Sequence, residues 1–411
     1  MAGRMAKGLA GLLALGVVIV FGLWVTSPDP RGNPASFEEA PLEPALASLD
    51  EAVTLAQVVR ADGSVATLLV TGFDVTQVQV VDLSRATGSA SSDPFAVLAA
   101  VAADRLEDLA GGATETLAIA DLLPAGGTGE RHLATGTNFP EHAEEASSGA
   151  VFQFPKFGQP SAARTTVEGR DDVLLDYEVE LCMRFDRPVV SLADFDAAVK
   201  GLFLCGDFTD RAALIRLVDP DNLDSGRGFS DGKSRHDFYP TGPFLVVPRD
   251  WSAFVAKERM MTLVNGEPRQ DARGGEMTLD FRALAEKALG DMERPRFLYQ
   301  GEYHRLSREP RILADMTLMS GTAEGVIFTP PSRGDMIEGG VAYLLSGAWL
   351  SGADPVASII ETFIANELES GHFLHSGDAV EFRSSGLGTI RVDVIEGPVG
   401  APIGSGVEPS R

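Results

Sequence analysis

Cysteine is scarce in this chain, with 2 among 411 residues. That scarcity excludes a disulfide framework and a cysteine-rich zinc site. Both cysteines stand near acids: Cys182 is two residues past Glu180, and Cys205 is two before Asp207. If their strands are neighbours, the thiols can approach and pair in an oxidising setting, but small buried thiols are the favoured reading. Clustered Lys and Arg are lacking too. Together with a net charge of -25, this argues against nucleic acid and against anionic lipid surfaces as partners. No internal repeat is found. The length leaves room for one large domain and a smaller one, with ample core.

What is present centres on the run Asp176-Tyr177-Glu178-Val179-Glu180-Leu181. On a strand, residues two apart share a face, so Glu178 and Glu180 aim at one point while Tyr177, Val179 and Leu181 face away. Like charges held this close repel, and in apolar surroundings a cation is what offsets the cost. A third acid, Asp207, ends the apolar run Gly201-Leu202-Phe203-Leu204-Cys205-Gly206. Three hard oxygen ligands, with no Cys/His pair nearby at zinc spacing, point to Mg2+ or Mn2+ with open positions. The plain alternative is an exposed strand face carrying alternate acids.

The N-terminus carries an uninterrupted apolar run from Gly8 to Val25, preceded by Arg4 and Lys7 and followed by Thr26-Ser27-Pro28-Asp29-Pro30. It reaches the lower end of the ~17–25 residues that span a bilayer, without the short apolar region and Ala-x-Ala site of a cleaved signal. Residues 1–29 are therefore expected to be an uncleaved single-pass anchor, favoured over a signal peptide. The basic flank predicts that end in the cytoplasm and the remainder on the extracytoplasmic side, periplasmic in a bacterium. Residues 30–50 read as a linker leading into a short helix. From Leu55, Ala56–Arg60, Ala66–Val70 and Val78–Val81 read as short strands with turns at Asp62-Gly63 and Thr71-Gly72. Pro94 to Leu109 is expected to be a helix. Ser191-Leu192-Ala193-Asp194 has the pattern of a capping box, which places a helix between the strand of Glu180 and the strand ending at Asp207.

Around the acidic pair, ordered blocks resemble the fumarylacetoacetate hydrolase family over most of residues 131–395. Thr137-Asn138-Phe139-Pro140-Glu141-His142-Ala143-Glu144-Glu145 is similar to the family's Asn-Tyr-x-x-His-x-x-Glu block. Phe154-Pro155-Lys156 is similar to its Phe-x-Lys strand, and Asp207-Phe208-Thr209-Asp210-Arg211 to its Asp-x-Ser-x-Arg turn. Gly232-Lys233-Ser234, Pro240-Thr241-Gly242-Pro243, Asn265-Gly266-Glu267-Pro268-Arg269-Gln270, Ser320-Gly321-Thr322, Ser376-Gly377-Asp378 and Gly386-Leu387-Gly388 follow in the family's order.

The resemblance implies an α+β fold: a β-rich, mixed-strand roll or distorted barrel with the metal at its mouth, behind a small N-terminal β-rich domain over 51–130. The catalytic domain would cover 131–395, with an insertion at 329–372 and a flexible tail at 396–411. It implies that Glu178, Glu180 and Asp207 hold the ion and that Lys233 sits beside the substrate oxygens. His142 and Glu145, three apart on a helix, would be base and orienter. Arg211 and Gln270 would shape the site, Gln270 as an amide donor to the substrate's far oxygen. Thr322 would help hold the substrate carboxylate. The implied activity is metal-dependent hydrolysis of a C–C bond in an acylpyruvate or other 2,4-dioxo acid, with a homodimer as the assembly common in the family. Decarboxylation, hydration or isomerisation of 2-oxo acids uses nearly the same residues. A reading from another class is a membrane-tethered binding protein without turnover.

The chain also departs from the pattern. His236 stands where Asp is usual, Ala323 where Pro is common, and Phe139 replaces Tyr. Extra sequence lies at about 291–310 and 329–372, the latter with an expected helix from Pro355 to Leu368. These departures bear on the substrate and leave the expected metal ligands intact.

Overall fold

The computed structural model describes the backbone of residues 2–28, 32–102 and 105–397, with side chains from residue 14 onward. From residue 398 on, the expected tail lies outside the described residues. The chain divides into two units, Pro34–Val326 with Leu374–Arg411, and Met1–Asn33 with Ile327–Phe373.

The larger unit is α+β and built on open sheets. A 10-stranded sheet runs in the order Glu115–Ala118, Gln77–Asp82, Val65–Phe73, Ala52–Val59, Leu245–Pro248, Lys200–Gly206, Val179–Phe185, Leu318–Met319, Arg131–Gly136, Phe152–Phe157. All neighbours are antiparallel except Leu318–Met319 with Arg131–Gly136. A 5-stranded sheet orders Glu267–Arg273, Arg259–Val264, Ala379–Ser384, Thr389–Glu396 and Arg164–Gly169. Neither sheet closes into a barrel, which agrees with the expected distorted roll.

The strands expected at 56–60, 66–70 and 78–81 form a meander that joins the large sheet, Ala52–Val59 pairing with Leu245–Pro248. The helix expected over Pro94–Leu109 is two short helices, Pro94–Ala99 and Arg105–Ala110. The linker does not lead into a helix. It runs extended and hydrogen-bonds onward, the Glu38 amide to Asp271 (2.8 Å) and the Ala45 amide to the Ser385 carbonyl (2.8 Å). Its prolines and polar residues favour extended backbone docked on a neighbour over helix.

Ser191 caps the helix Leu192–Ala197, accepting from the Asp194 amide. That helix turns the chain so that Lys200–Gly206 returns antiparallel to Val179–Phe185. The return is tight. A Cβ at Gly206 would lie 2.5 Å from Phe382 Cε2, so only glycine permits the approach of the second sheet. Phe208 then packs edge-on to Phe382, ring centroids 5.9 Å apart.

The expected free thiols are not found. Antiparallel pairing sets Cys182 opposite Phe203 and Cys205 opposite Glu180, with the cysteine Cα atoms 6.0 Å apart, and the two are joined as a disulfide. That separation lies within the span a disulfide bridges.

In the smaller unit the insertion forms two helices, Arg333–Leu345 and Pro355–Ser370. Ser332 and Asp335 make a reciprocal capping box, Asp354 caps the second helix, and Gly371 ends it in the left-handed conformation. The helices approach closely at Gly339, where a Cβ would come within 2.8 Å of Ile359 Cα. The helix Ala2–Val25 covers the N-terminal apolar run. Its C-terminal end is tied to the insertion by polar contacts, Trp24 Nε1 donating to Glu338 (2.6 Å) and the Gly334 amide to Ser27 (2.8 Å). Among the described residues no helix is long and apolar enough to cross a membrane. This overturns the expected single-pass anchor, and with it the membrane partner and the extracytoplasmic placement inferred from the basic flank. The run was at the short edge of bilayer thickness, and its C-terminal end meets a carboxylate.

Candidate metal centre

The acidic strand behaves as alternation requires. Glu178, Glu180 and Asp207 are all buried, and one carboxylate oxygen from each lies within 4.8 Å of the others. Tyr177 faces the opposite way, its hydroxyl donating to the Gly325 carbonyl (3.1 Å). The Asp207 amide donates to the Glu178 carbonyl (2.9 Å), which carries the strand pairing one step beyond Gly206 and sets the third acid beside the first.

Cations neutralise most of the charge. Lys233 Nζ lies 2.8 Å from Glu178 Oε2 and 3.0 Å from Asp207 Oδ2, and donates to Thr209 (2.7 Å). Arg211 bridges Asp176 (2.8 Å) and Glu178 (2.7 Å). Lys156 reaches Asp207 Oδ1 at 2.7 Å and donates to the Lys233 carbonyl. Glu180 is treated differently. Its Oε2 accepts from the Gly321 amide (2.9 Å), and its Oε1 is buried without a hydrogen-bond partner.

The electrostatics follow. Burial, then the nearby Asp207 and Glu178 charges, push the Glu180 carboxyl well above its ordinary range. Burial works against ionisation of Glu178 as well, but Lys233 and Arg211 outweigh it and hold Glu178 down to about 2. His142 contributes to that lowering, so the imidazole lies near the acids.

His142 and Glu145 meet as expected. They sit on the helix Pro140–Glu145, with His142 Nδ1 2.9 Å from Glu145 Oε2. Glu145 Oε1 accepts from the Gly325 amide (2.9 Å), so the carboxylate is held from behind. Gln270 is buried, and its amide is engaged within the protein. It donates to Thr322 Oγ1 and to the Ala323 carbonyl (both 2.9 Å) and accepts from the Val179 amide (3.1 Å). Thr322 donates to the Val179 carbonyl (2.9 Å). In this conformation Gln270 and Thr322 lash the Ser320-Gly321-Thr322 turn to the acidic strand. Gly321 holds a φ of 78°, which turns its amide toward Glu180.

Two site residues were not singled out from the sequence. Lys156 lies within the strand Phe152–Phe157, between Pro155 and Phe157, and a lysine among aromatic residues on a buried strand needs a charged partner. Asp176 stands two before Glu178, and the same alternation that paired the glutamates also includes it.

Oxygen donors, burial and an unpartnered carboxylate oxygen fit a hard divalent cation. The family model for the fumarylacetoacetate (FAA) hydrolase C-terminal domain matches residues 131–395. The chain belongs to the fumarylacetoacetate hydrolase family. Members of this family are enzymes, such as isomerases and hydrolases, that act on small molecules and commonly bind a divalent metal.

Among solved structures, the protein Cg1458 with inhibitor is 14% identical with a TM-score of 0.51, over 84% of this chain and 100% of its own. The 5-carboxymethyl-2-hydroxymuconate delta-isomerase of Mycobacterium smegmatis is 17% identical, TM-score 0.49, over 84% and 100%. The 2-hydroxyhepta-2,4-diene-1,7-dioate isomerase of Mycobacterium marinum is 17% identical, TM-score 0.47, over 85% and 100%. At 14% identity the likeness to Cg1458 speaks to the fold alone. No curated protein matches the chain.

Proposed function

We propose that this family member is a divalent-metal-dependent hydrolase that cleaves a C–C bond in an acylpyruvate or related 2,4-dioxo acid. The observation that carries this reading is the His142–Glu145 pair, 2.9 Å apart, beside a buried acidic triad with one unpartnered oxygen. Glu178, Glu180 and Asp207 would hold Mg2+ or Mn2+. When bound, such a cation polarises a 2-oxo group and stabilises developing negative charge.

The protein's own residues would do the rest. Glu145, anchored by the Gly325 amide, fixes the ring so that Nδ1 carries the proton and Nε2 is left as a base. Nε2 takes a proton from water as its oxygen bonds to the acyl carbonyl carbon. The bond from that carbon to the neighbouring methylene then breaks, and the electron pair passes to the methylene, which takes up a proton. The products are a carboxylic acid and a 2-oxo acid. Lys233 supplies positive charge beside the oxygens without occupying a ligand position, and Arg211 keeps Glu178 ionised. Thr322 and its turn border the place of the substrate carboxylate, and Gln270 keeps that turn in place.

A second reading is an isomerase of the same family, whose enzymes include isomerases as well as hydrolases. The test is the ultraviolet absorbance of a panel of acylpyruvates with metal-stripped protein, with and without Mn2+ or Mg2+. Metal-dependent loss of the dioxo chromophore with acid and 2-oxo acid as products supports the hydrolase. A shifted enol band with carbon count unchanged sinks it in favour of the isomerase. Tight Mn2+ binding with no turnover on any compound sinks both in favour of a binding protein.

A further inference from the structure

The disulfide and the acids occupy one face of one ribbon. In the pair Val179–Phe185 and Lys200–Gly206, Cys205 stands opposite Glu180 and Cys182 opposite Phe203. One step further, the Asp207 amide meets the Glu178 carbonyl. Directly opposed residues share a face, and alternate residues return to it. Glu178, Glu180 and Cys182 therefore make one row, and Asp207 and Cys205 belong to the facing row. The sulfur bridge crosses diagonally between the rows immediately behind Glu180. Both half-cystines are 0% exposed.

The two ends of this arrangement are held by different means. At the Glu178–Asp207 end, Lys233 touches both carboxylates, and Lys156 and Arg211 add to the neutralisation. At the Glu180 end, among the described residues, the Gly321 amide is the one hydrogen-bond donor to the carboxylate and no cation pairs with it. Lys233, which ties the two rows through Glu178 and Asp207, makes no ion pair with Glu180. The covalent link lies at that end.

We propose that the Cys182–Cys205 disulfide is a positioning brace for the metal cradle, holding the strand of Glu180 to the strand of Asp207 so that the three carboxylates stay at binding separation. The proposal rests on the reading of the triad as a cation site. Reduction by a small dithiol delivers two electrons and two protons to the bridge. The S–S bond breaks, two thiols form, and the reagent ends as a cyclic disulfide. Two thiols need more room than one bridge, and inside a packed core that room comes from parting the rows. Glu180 is the side chain next to the change. Because the sulfurs are buried, reagent reaches them through opening of the ribbon, and native protein is reduced slowly.

The experiment uses the full chain purified without reductant. Thiols are counted in denaturant, and Mn2+ affinity is read from the paramagnetic resonance of free Mn2+. The same affinity is measured on chain reduced in denaturant and refolded with dithiothreitol, and on the variants C182A/C205A and C182V/C205A, which carry the comparison if the reduced chain does not refold. The expected result is no free thiol in the unreduced chain, and Mn2+ binding weakened about tenfold in the reduced chain and in both variants. Two thiols per unreduced chain would overturn the bridge. Equal Mn2+ affinity with and without the bridge, even with a lowered melting temperature, would reduce it to a structural tie and overturn the brace alone. Absence of Mn2+ binding in every form would overturn the cation site and the brace together.

Discussion

Lys156 and Asp207 form an ion pair of 2.7 Å with both side chains at or below 1% exposure. Such a pair is poor evidence of net stabilisation, because the attraction is spent on removing both charges from water. Its value lies in what happens when half of it is removed.

Lys156→Met should therefore lower the stability of the metal-free protein by about 3 kcal/mol, since it takes the cation from Asp207 Oδ1 and leaves this buried carboxylate with Lys233 alone. It should also make the protein more dependent on metal, because one cation fewer faces the acids. Thermal melts with and without saturating Mn2+ check this. The melting temperature should drop without metal and recover in large part with it. An unchanged metal-free melt, or a deficit that Mn2+ leaves untouched, would show that Lys156 does not neutralise the cradle.

Glu180→Gln separates metal binding from folding. In the metal-free protein this carboxyl is held toward its neutral form by burial and its two acidic neighbours, and one oxygen has no partner. An amide of the same shape removes that repulsion, so metal-free stability should stay level or rise by about 1 kcal/mol. Mn2+ affinity should fall about a hundredfold or more. Denaturant titration and calorimetry of Mn2+ binding read the two effects. Retained affinity would remove Glu180 from the ligand set.

His142→Ala should spare Mn2+ binding and lower hydrolysis by roughly 10²–10⁴-fold, the ordinary range for loss of a positioned base. Glu145→Gln should cost less, since the ring remains but its tautomer and basicity are no longer fixed. Steady-state rates at saturating metal distinguish the two. Equal hydrolysis in the His142 variant would take the base role from this residue.

The buried His132 makes a contribution to stability whose pH dependence has a definite sign. Burial lowers its pKa from 6.5 to about 4. Above 6.5 the ring is neutral in both folded and unfolded chain. As pH falls from about 6.5 toward 4, the unfolded chain takes up the proton first, and stability drops by up to roughly 3 kcal/mol. Denaturation at pH 7.5 and pH 5 should show that His132→Gln loses less stability on acidification than the parent does. An equal loss in the two proteins would mean that His132 is not the titrating group.

Much of the site was readable because strand alternation is a strong constraint. Glu178 and Glu180 had to share a face once the strand was recognised, and Asp207 followed from the end of the next apolar run. The capping pattern at Ser191 made the helix between those two strands readable as well. What escaped depended on packing between distant segments. Nothing local in Phe154-Pro155-Lys156 says that the lysine points at Asp207, because the approach is set by sheet order rather than spacing. The engagement of Gln270 with the turn at Thr322 depends on contact between separate sheets. The disulfide was legible as a conditional, since two cysteines can bond only if register brings them together, and register was not known. The N-terminal run misled because its length sits at the lower limit for a span, where apolar composition alone decides little.

The meander formed by residues 52–82 is hydrogen-bonded to Leu245–Pro248, next to the strand that ends at the third acid. A protein trimmed to begin at Arg131, where the family match starts, would leave Leu245–Pro248 as a raw, largely apolar border with unmet amides and carbonyls. Such a border recruits foreign strands and promotes self-association. The N-terminal meander is therefore the selvedge of the sheet that carries the acidic strand, and truncations meant to isolate the family-matched region should retain it.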